Sequence, residues 1–160
     1  YSTMPFTQTY KMLLCTLNMT MVLISSDSKF PANRAKIKMA VESVLKDQGV
    51  SSDVEVSILI CGARKSLELA KKHLSDDQPH NVLSFPLLED FKQVAGRPFA
   101  SPGLGKGFVT SGENGLVLGD IVVCYPLAQV EANRDNVLVD TKIGELVSHG
   151  VLHLLGIHHS

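Results

Sequence analysis

The chain has 160 residues, of which 44% are hydrophobic and 19% are charged, so it is long and apolar enough for one domain with a buried core. Its formal net charge of −1 excludes a strongly basic protein that coats nucleic acid, because phosphate-driven affinity requires many Lys and Arg contacts. Any contact with nucleic acid must therefore be local.

The number and spacing of the cysteines indicate the redox environment of the chain. Cys15, Cys61 and Cys124 are widely spaced and form no C-x-x-C pair, so they indicate neither a disulfide framework nor a thiolate zinc site. Two of them lie in apolar, strand-like runs and are expected to be small core residues. We therefore expect a reducing, cytoplasmic environment.

Residues 1–20 are predicted to form a poorly structured extension ahead of a single domain over residues 21–160. The segment from Met12 to Ile24 is fairly apolar and follows Lys11, a weak likeness to the apolar part of a signal peptide. Polar residues interrupt it, and no clear small-residue cleavage site follows. The segment is also too short to cross a bilayer, so we expect no membrane partner.

The first half of the domain alternates predicted strands and helices. Met21 to Ser25 predicts a strand, and apolar residues at helical spacing predict a helix from about Ala32 to Asp47, which Gly49 ends. Alternating apolar residues predict a second strand from Val54 to Ile60. A second helix is predicted by one apolar face, formed by Leu67, Ala70 and Leu74.

The second half contains two more strands and two more helices. Strands are predicted from Val82 to Phe85 and from Leu116 to Cys124. Between them, residues 88–115 are rich in Gly and Pro and predict a loop, which is either an insertion without catalytic purpose or a flap over a substrate groove. Pro126 is predicted to begin a third helix, and the buried face of the last helix is predicted to contain Ile143, Leu146, Val147, Gly150, Val151 and Leu154. This order predicts an α+β fold with a small mixed sheet flanked by helices.

The C-terminal run places two histidines four residues apart, His149 and His153, and a third, His159, six residues further on. On a helix, residues four apart lie on one face, so the first two imidazoles can converge on one ion. Gly156 is predicted to end the helix and turn the chain back, which makes His159 the expected third ligand. Two helically spaced histidines also arise by chance, but a third after a glycine turn is rarer. The neighbouring His158 is expected to orient a ligand or to face solvent.

Three imidazoles indicate a catalytic zinc site, because three protein ligands leave a fourth position for water. Zinc lowers the pKa of that water to about 7, so hydrolysis is the expected chemistry. The residue after His149 is Gly150, where helical zinc peptidases carry a glutamate base, so a conventional peptidase mechanism lacks its base. Glu145 either orients a ligand or accepts a proton, or it is an ordinary exposed glutamate; Asp120 either steadies a ligand or caps a strand end.

Three blocks of sequence occur in an order typical of one family. They are Pro79 followed by Asn81 to Pro86, then Leu118 to Val122, then the C-terminal run with His149, Gly150, Leu152, His153, Leu154, Gly156 and His159. Together, from about Met21 to the last residue, they resemble the YbeY-type rRNA maturation factors, which are single-strand endoribonucleases. The resemblance implies a zincin-like hydrolase domain with one zinc ion on His149, His153 and His159. It also implies that the substrate is single-stranded RNA, that the role is maturation of the 16S rRNA 3′ end and ribosome quality control, and that the partner is rRNA or a ribosomal subunit.

One departure from the family concerns charge. The family usually has an arginine five residues before the proline matched by Pro79, and this chain has Leu74 there. An arginine offers a fork of donors to a phosphate, and leucine offers none. Either a nearby cation such as Lys71, Lys72 or Arg64 substitutes, or the chain keeps the metal and the fold while cleaving RNA poorly.

The sequence therefore predicts a zinc-dependent endoribonuclease with two rivals. The first is a metallohydrolase of another class, an amidase or peptidase with an unrecognised base. The second is a non-catalytic, ribosome-associated factor that keeps zinc for stability. The sequence does not predict the oligomeric state.

Overall fold

The structure, a computed structural model, describes residues 20–50, 53–87 and 116–157. The predicted N-terminal extension apart from Thr20, the predicted loop over residues 88–115, and both His158 and His159 lie outside the described residues.

Strands and helices alternate along the described part of the chain. In chain order they are β1 (Met21–Ser26), α1 (Arg34–Asp47), β2 (Val54–Cys61), α2 (Ala63–Leu74), β3 (Val82–Pro86), β4 (Leu116–Cys124), α3 (Tyr125–Asp135) and α4 (Val139–Leu154). The α+β prediction is confirmed. The first helix begins two residues later than predicted because Asn33 caps it, its side-chain oxygen accepting a hydrogen bond from the backbone N–H of Lys36 at 3.1 Å.

The four strands form one mixed sheet in the order β1-β2-β4-β3. β1 and β4 both run parallel to β2, and β3 runs antiparallel to β4. Within the described residues, β1 and β3 are therefore the two edges of the sheet. β3 and β4 are neighbours in this sheet.

The two faces of the sheet differ in how they are covered. The inner face packs against α1 and α4 and forms the main core, in which Ile58, Ile121 and Val147 are almost completely buried. In the described part of the chain, the outer face packs a small cluster around Ala70 of α2. Among the residues that the structure describes, one helix covers this face incompletely, which leaves part of it open.

A bulge in β4 decides which of its residues reach each face. Val117 and Gly119 lie opposite the consecutive residues Glu55 and Val56, so Leu118 is an extra residue. Gly119 has a φ of +145°, and a Cβ there would collide with the carbonyl oxygen of Phe85, so only glycine fits. The extra residue reverses the alternation, which puts Leu118 and Ile121 on the inner face and turns Asp120 outward.

Candidate metal centre

The two predicted ligands His149 and His153 lie beside the buried stripe of α4. Leu146, Gly150 and Leu154 on that helix are buried, whereas His149 is exposed and His153 is partly buried. The pattern of one apolar face and two histidines next to it places the imidazoles at the border between core and solvent. A metal ion and a substrate can both approach at such a border.

The two imidazoles face each other. Their Nε2 atoms lie 2.9 Å apart, and their ring centroids are 4.4 Å apart with an angle of 53° between the planes. With one ring donating and the other accepting, this distance is a hydrogen bond. Two nitrogens at about 2.0–2.1 Å from one tetrahedral ion lie roughly 3.3 Å apart, so a few tenths of an ångström separate this geometry from that of a zinc pair. The donor set and its spacing fit zinc.

Position 150 has no room for a catalytic base. Gly150 is buried, and a Cβ there would stand 2.9 Å from Cγ2 of Ile121 on β4. A glutamate side chain at this position would have to enter the core between α4 and the sheet. The absence of a peptidase-type glutamate after His149 therefore has a packing cause in this fold.

The predicted turn after the helix is confirmed. Gly156 has a φ of +78°, its N–H donates to the carbonyl of His153, and the N–H of Ile157 donates to the carbonyl of Leu152. These two bonds are the Schellman pattern, which reverses the chain direction at a helix end. The position of His159 as third ligand stays a prediction, because that residue lies outside the described part. Among residues 20–50, 53–87 and 116–157, no group of three or more His, Cys, Asp or Glu side chains could hold a metal ion.

The edge strand β3 lies against the histidine helix. The hydroxyl of Ser84 donates to the carbonyl oxygen of Gly150 over 3.4 Å, and that carbonyl belongs to the residue next to His149. Asn81, at the start of the strand, donates to Glu131 of α3 at 2.6 Å. The sequence analysis did not identify Ser84 as a contact of the histidine helix. The available signal was that Ser84 lies on a short strand, within one of the three blocks that resemble the family.

The structure argues against metal-site roles for two candidate residues. Asp120 lies on the outer face, whereas α4 packs against the inner face through Gly150 and Ile121, so Asp120 is on the far side of the sheet from the histidines. Glu145 accepts a hydrogen bond from Lys142 Nζ at 2.7 Å, in the same cluster in which Lys142 donates to Asp135 at 2.6 Å. Because Lys142 is only 8% exposed, its two carboxylate partners have a structural role.

Three basic side chains of α2 are candidates to replace the arginine that the family usually has at the position of Leu74. Leu74 is 51% exposed at the end of α2, so a long cation fits there without repacking. Arg64 pairs with Glu68 at 3.6 Å and Lys71 with Asp77 at 3.8 Å, so both cations are already partly neutralised. Lys72 forms no ion pair within the described residues, which makes it the freest of the three candidate substitutes.

Within its described residues, the structure contains no helix that is both long and apolar enough to pass through a membrane.

Comparison with known proteins identifies the family. Residues 23–160 match the family described as Endoribonuclease YbeY. The chain is 32% identical to the endoribonuclease YbeY of Dehalococcoides mccartyi strain BAV1 over 123 residues, which cover 77% of this chain and 72% of the relative. It is also 32% identical to the endoribonuclease YbeY of Acinetobacter baumannii strain ATCC 17978 over 126 residues, covering 79% and 70% of the two chains.

A solved structure agrees in fold. The solution structure of TM1509 from Thermotoga maritima superimposes with a TM-score of 0.51 at 23% sequence identity, covering 88% of this chain and 75% of that one. This likeness concerns the fold alone. The family match over most of the chain and the identity to two named relatives show that the chain belongs to the YbeY endoribonuclease family.

Proposed function

We propose that the chain is a zinc-dependent endoribonuclease that cleaves single-stranded RNA in the cytoplasm, in maturation of the 16S rRNA 3′ end and in ribosome quality control. Its expected partners are rRNA and the ribosomal subunit that contains it. Family membership supports an endoribonuclease that processes rRNA. The observation that carries zinc dependence is the pair of Nε2 atoms of His149 and His153 facing each other at 2.9 Å.

His149 and His153 would hold the ion through Nε2, with His159 as the proposed third ligand. When bound, zinc supplies Lewis acidity toward a phosphoryl oxygen and toward the attacking group. Because both histidines are on one helix whose Gly150 packs against β4, the separation of their backbones is set before metal or substrate arrives. Unpaired bases are easier than stacked ones to place at such an open border, which supports a single-stranded substrate.

The test is metal content and cleavage measured on the same preparations. Purified wild-type chain should bind one zinc ion and cleave a labelled single-stranded RNA, and EDTA should remove both properties until zinc is restored. His153→Ala and His149→Ala should each lose zinc and cleavage. His73→Ala is the matched control for zinc content and should keep its zinc, because His73 is a histidine near the end of α2 on the other side of the sheet.

A second candidate function has one observation in its favour: the side chain at position 74 is an exposed leucine and not a cation. In this alternative the chain is a non-catalytic, zinc-stabilised factor that associates with ribosomes. It predicts stoichiometric zinc, loss of folding on chelation and no RNA turnover. Cleavage of peptides or amides without cleavage of RNA would instead support a metallohydrolase of another class.

A further inference from the structure

The open part of the outer face forms a cavity of about 610 Å³ between the sheet and α2. Its floor contains one side chain from each strand at the same register level, namely Leu23, Ser57, Asp120 and Phe85. Leu69 and His73 of α2 form a wall of the cavity. Leu87 continues the lining beyond β3 and is 53% exposed.

The floor of this cavity combines an apolar surface with one carboxylate. Asp120 has no hydrogen-bond or ion-pair partner among the residues that the structure describes. Ser57 occupies the neighbouring position on β2, so its hydroxyl and the carboxylate are one strand spacing apart, about 4.8 Å between backbones. Since most other groups around them are aliphatic or aromatic, these two polar side chains would determine how a flat occupant is oriented.

An aromatic pair stands at the β3 side of the cavity. The rings of His73 and Phe85 have centroids 5.0 Å apart with an angle of 55° between their planes. Such rings are the surfaces on which proteins stack unpaired bases. On α2, Lys65 and Lys72 lie four residues before and three residues after Leu69, on the cavity side of the helix. Neither lysine forms an ion pair within the described residues, so both can meet the phosphates that flank a bound base.

The cavity and the histidine pair lie on the two sides of one edge strand. Phe85 of β3 lines the cavity, and the adjacent Ser84 contacts the carbonyl of Gly150 in the histidine helix. Within the described residues, no further strand lies beyond β3. A single strand of RNA crossing this edge can therefore have its scissile bond at the histidines and a neighbouring base in the cavity.

We propose that this cavity binds one unpaired guanine of the RNA, with Asp120 and Ser57 as the residues that determine the preference; the proposal rests on the function proposed above. The Watson–Crick edge of guanine presents an acceptor, O6, followed by two adjacent donors, N1–H and N2–H. The carboxylate of Asp120 accepts from both donors, and the Ser57 hydroxyl donates to O6. Adenine, cytosine and uracil each present at most one donor at this edge next to an acceptor, which a carboxylate repels.

The experiment is an NMR titration of the full chain with GMP, AMP, CMP and UMP as separate probes. GMP should bind at least about fivefold more tightly than the other three nucleotides, and Asp120→Asn should remove that preference, a change of roughly 5- to 150-fold for one bidentate pair. Ser57→Ala should reduce GMP affinity by a smaller factor. Glu55→Gln is the matched control, because Glu55 is a carboxylate on β2 that does not line the cavity, and it should leave all four affinities unchanged.

Three results would overturn the cavity assignment. They are equal affinity for the four nucleotides, a GMP preference that survives in Asp120→Asn, and no binding of any nucleotide, as expected if another segment or a protein partner fills the cavity. Zinc content and RNA cleavage are measured on the same samples. Zinc-dependent cleavage without a guanine preference would support the proposed function and contradict the cavity assignment. A guanine preference without cleavage would support the cavity assignment and contradict the proposed function.

Discussion

The side chain of Ile121 occupies the place next to Gly150 where a larger residue would need to go: a Cβ on Gly150 would stand 2.9 Å from Cγ2 and 3.1 Å from Cδ1 of Ile121. The helix that carries the histidine pair thus lies as close to β4 as a glycine allows. Because His149 precedes Gly150 directly, this contact also sets how far the backbone of His149 lies from the sheet.

Gly150→Ala should lower the free energy of unfolding by roughly 1–3 kcal/mol, since the added methyl group overpacks a filled core. The displaced helix should also hold zinc more weakly. Urea unfolding and a zinc competition titration measure the two effects.

Gly144→Ala provides the control on the same helix, because a Cβ at Gly144 meets no atom within 4 Å. It should raise stability by roughly 0.5–1 kcal/mol through helix propensity alone. In an Ile121→Ala background, which removes the three crowding atoms, Gly150→Ala should cost less stability than in the wild type. Equal effects of alanine at positions 144 and 150 would contradict the packing argument.

The sequence predicted the elements well because their signals are local. Apolar patterns predicted the described strands and most of the helices, Pro126 predicted the start of α3, and the glycine after the histidine helix predicted the turn at Gly156. It did not predict the side of the sheet to which Asp120 belongs, because that depends on the extra residue Leu118 and on the pairing of β4 with β2. The Gly119-Asp120 pair inside an apolar strand was the signal for a bulge. Likewise, the sequence left a proton-accepting role open for Glu145. Lys142, which occupies this carboxylate, is a polar residue, and its burial could not be inferred from the spacing of apolar residues.

Restoring the family's cation with Leu74→Arg should raise RNA cleavage by at least about tenfold, if charge at this position limits the rate. Stability should change by less than about 0.5 kcal/mol, because Leu74 is half exposed and lies in the last turn of α2, where a cation suits the helix dipole. Single-turnover cleavage of a labelled single-stranded RNA measures the rate.

Leu74→Gln separates charge from polarity at this site. A glutamine of similar length should leave cleavage near the wild-type level. If glutamine and arginine accelerate the reaction equally, or neither changes it, the missing guanidinium does not explain the rate of this chain. Lys72→Ala in the wild-type background should slow cleavage if this lysine substitutes for the arginine.

The cluster around Lys142 should make stability depend on pH at the acid end. The hydrogen bond from Lys142, and then that from Arg134, holds the pKa of Asp135 below its ordinary value of 3.8. A carboxylate with a depressed pKa in the folded state stabilises the protein above its unfolded pKa, and this contribution disappears as the pH falls through the folded pKa. Asp135→Asn should therefore lower Tm at pH 7, and its Tm should converge with that of the wild type as the pH falls below about 3.8.

Asp47→Asn is the control for the comparison of Asp135→Asn with the wild type. Asp47 is an exposed carboxylate at the end of α1, so its replacement should not lower Tm at neutral pH. Thermal unfolding at several pH values, followed by circular dichroism, gives both curves. A constant difference in Tm between wild type and Asp135→Asn from neutral to acid pH would show that the ion pair contributes no pH-dependent stability.

The buried thiol of Cys61 should react slowly at neutral pH. Burial, with a smaller contribution from the neighbouring Cys124, raises the pKa of Cys61 from 9.0 to about 11. Only the thiolate attacks a disulfide reagent, so at pH 8 about one molecule in a thousand is reactive. In a Cys15→Ser, Cys124→Ala background, where burial is the dominant cause, the labelling rate should keep rising with pH well above 9.

The same shift predicts a loss of stability in alkali. Because the folded state holds the proton more tightly than the unfolded state, the contribution of Cys61 is complete below pH 9 and is lost as the pH rises through about 11. Cys61→Ala should therefore reduce the fall in Tm between these two pH values relative to the wild type.

The labelling experiment needs an unfolded reference. In guanidinium-unfolded protein the thiol of Cys61 should titrate normally. A labelling rate in the folded chain that levels off near pH 9 would show that burial does not control this thiol.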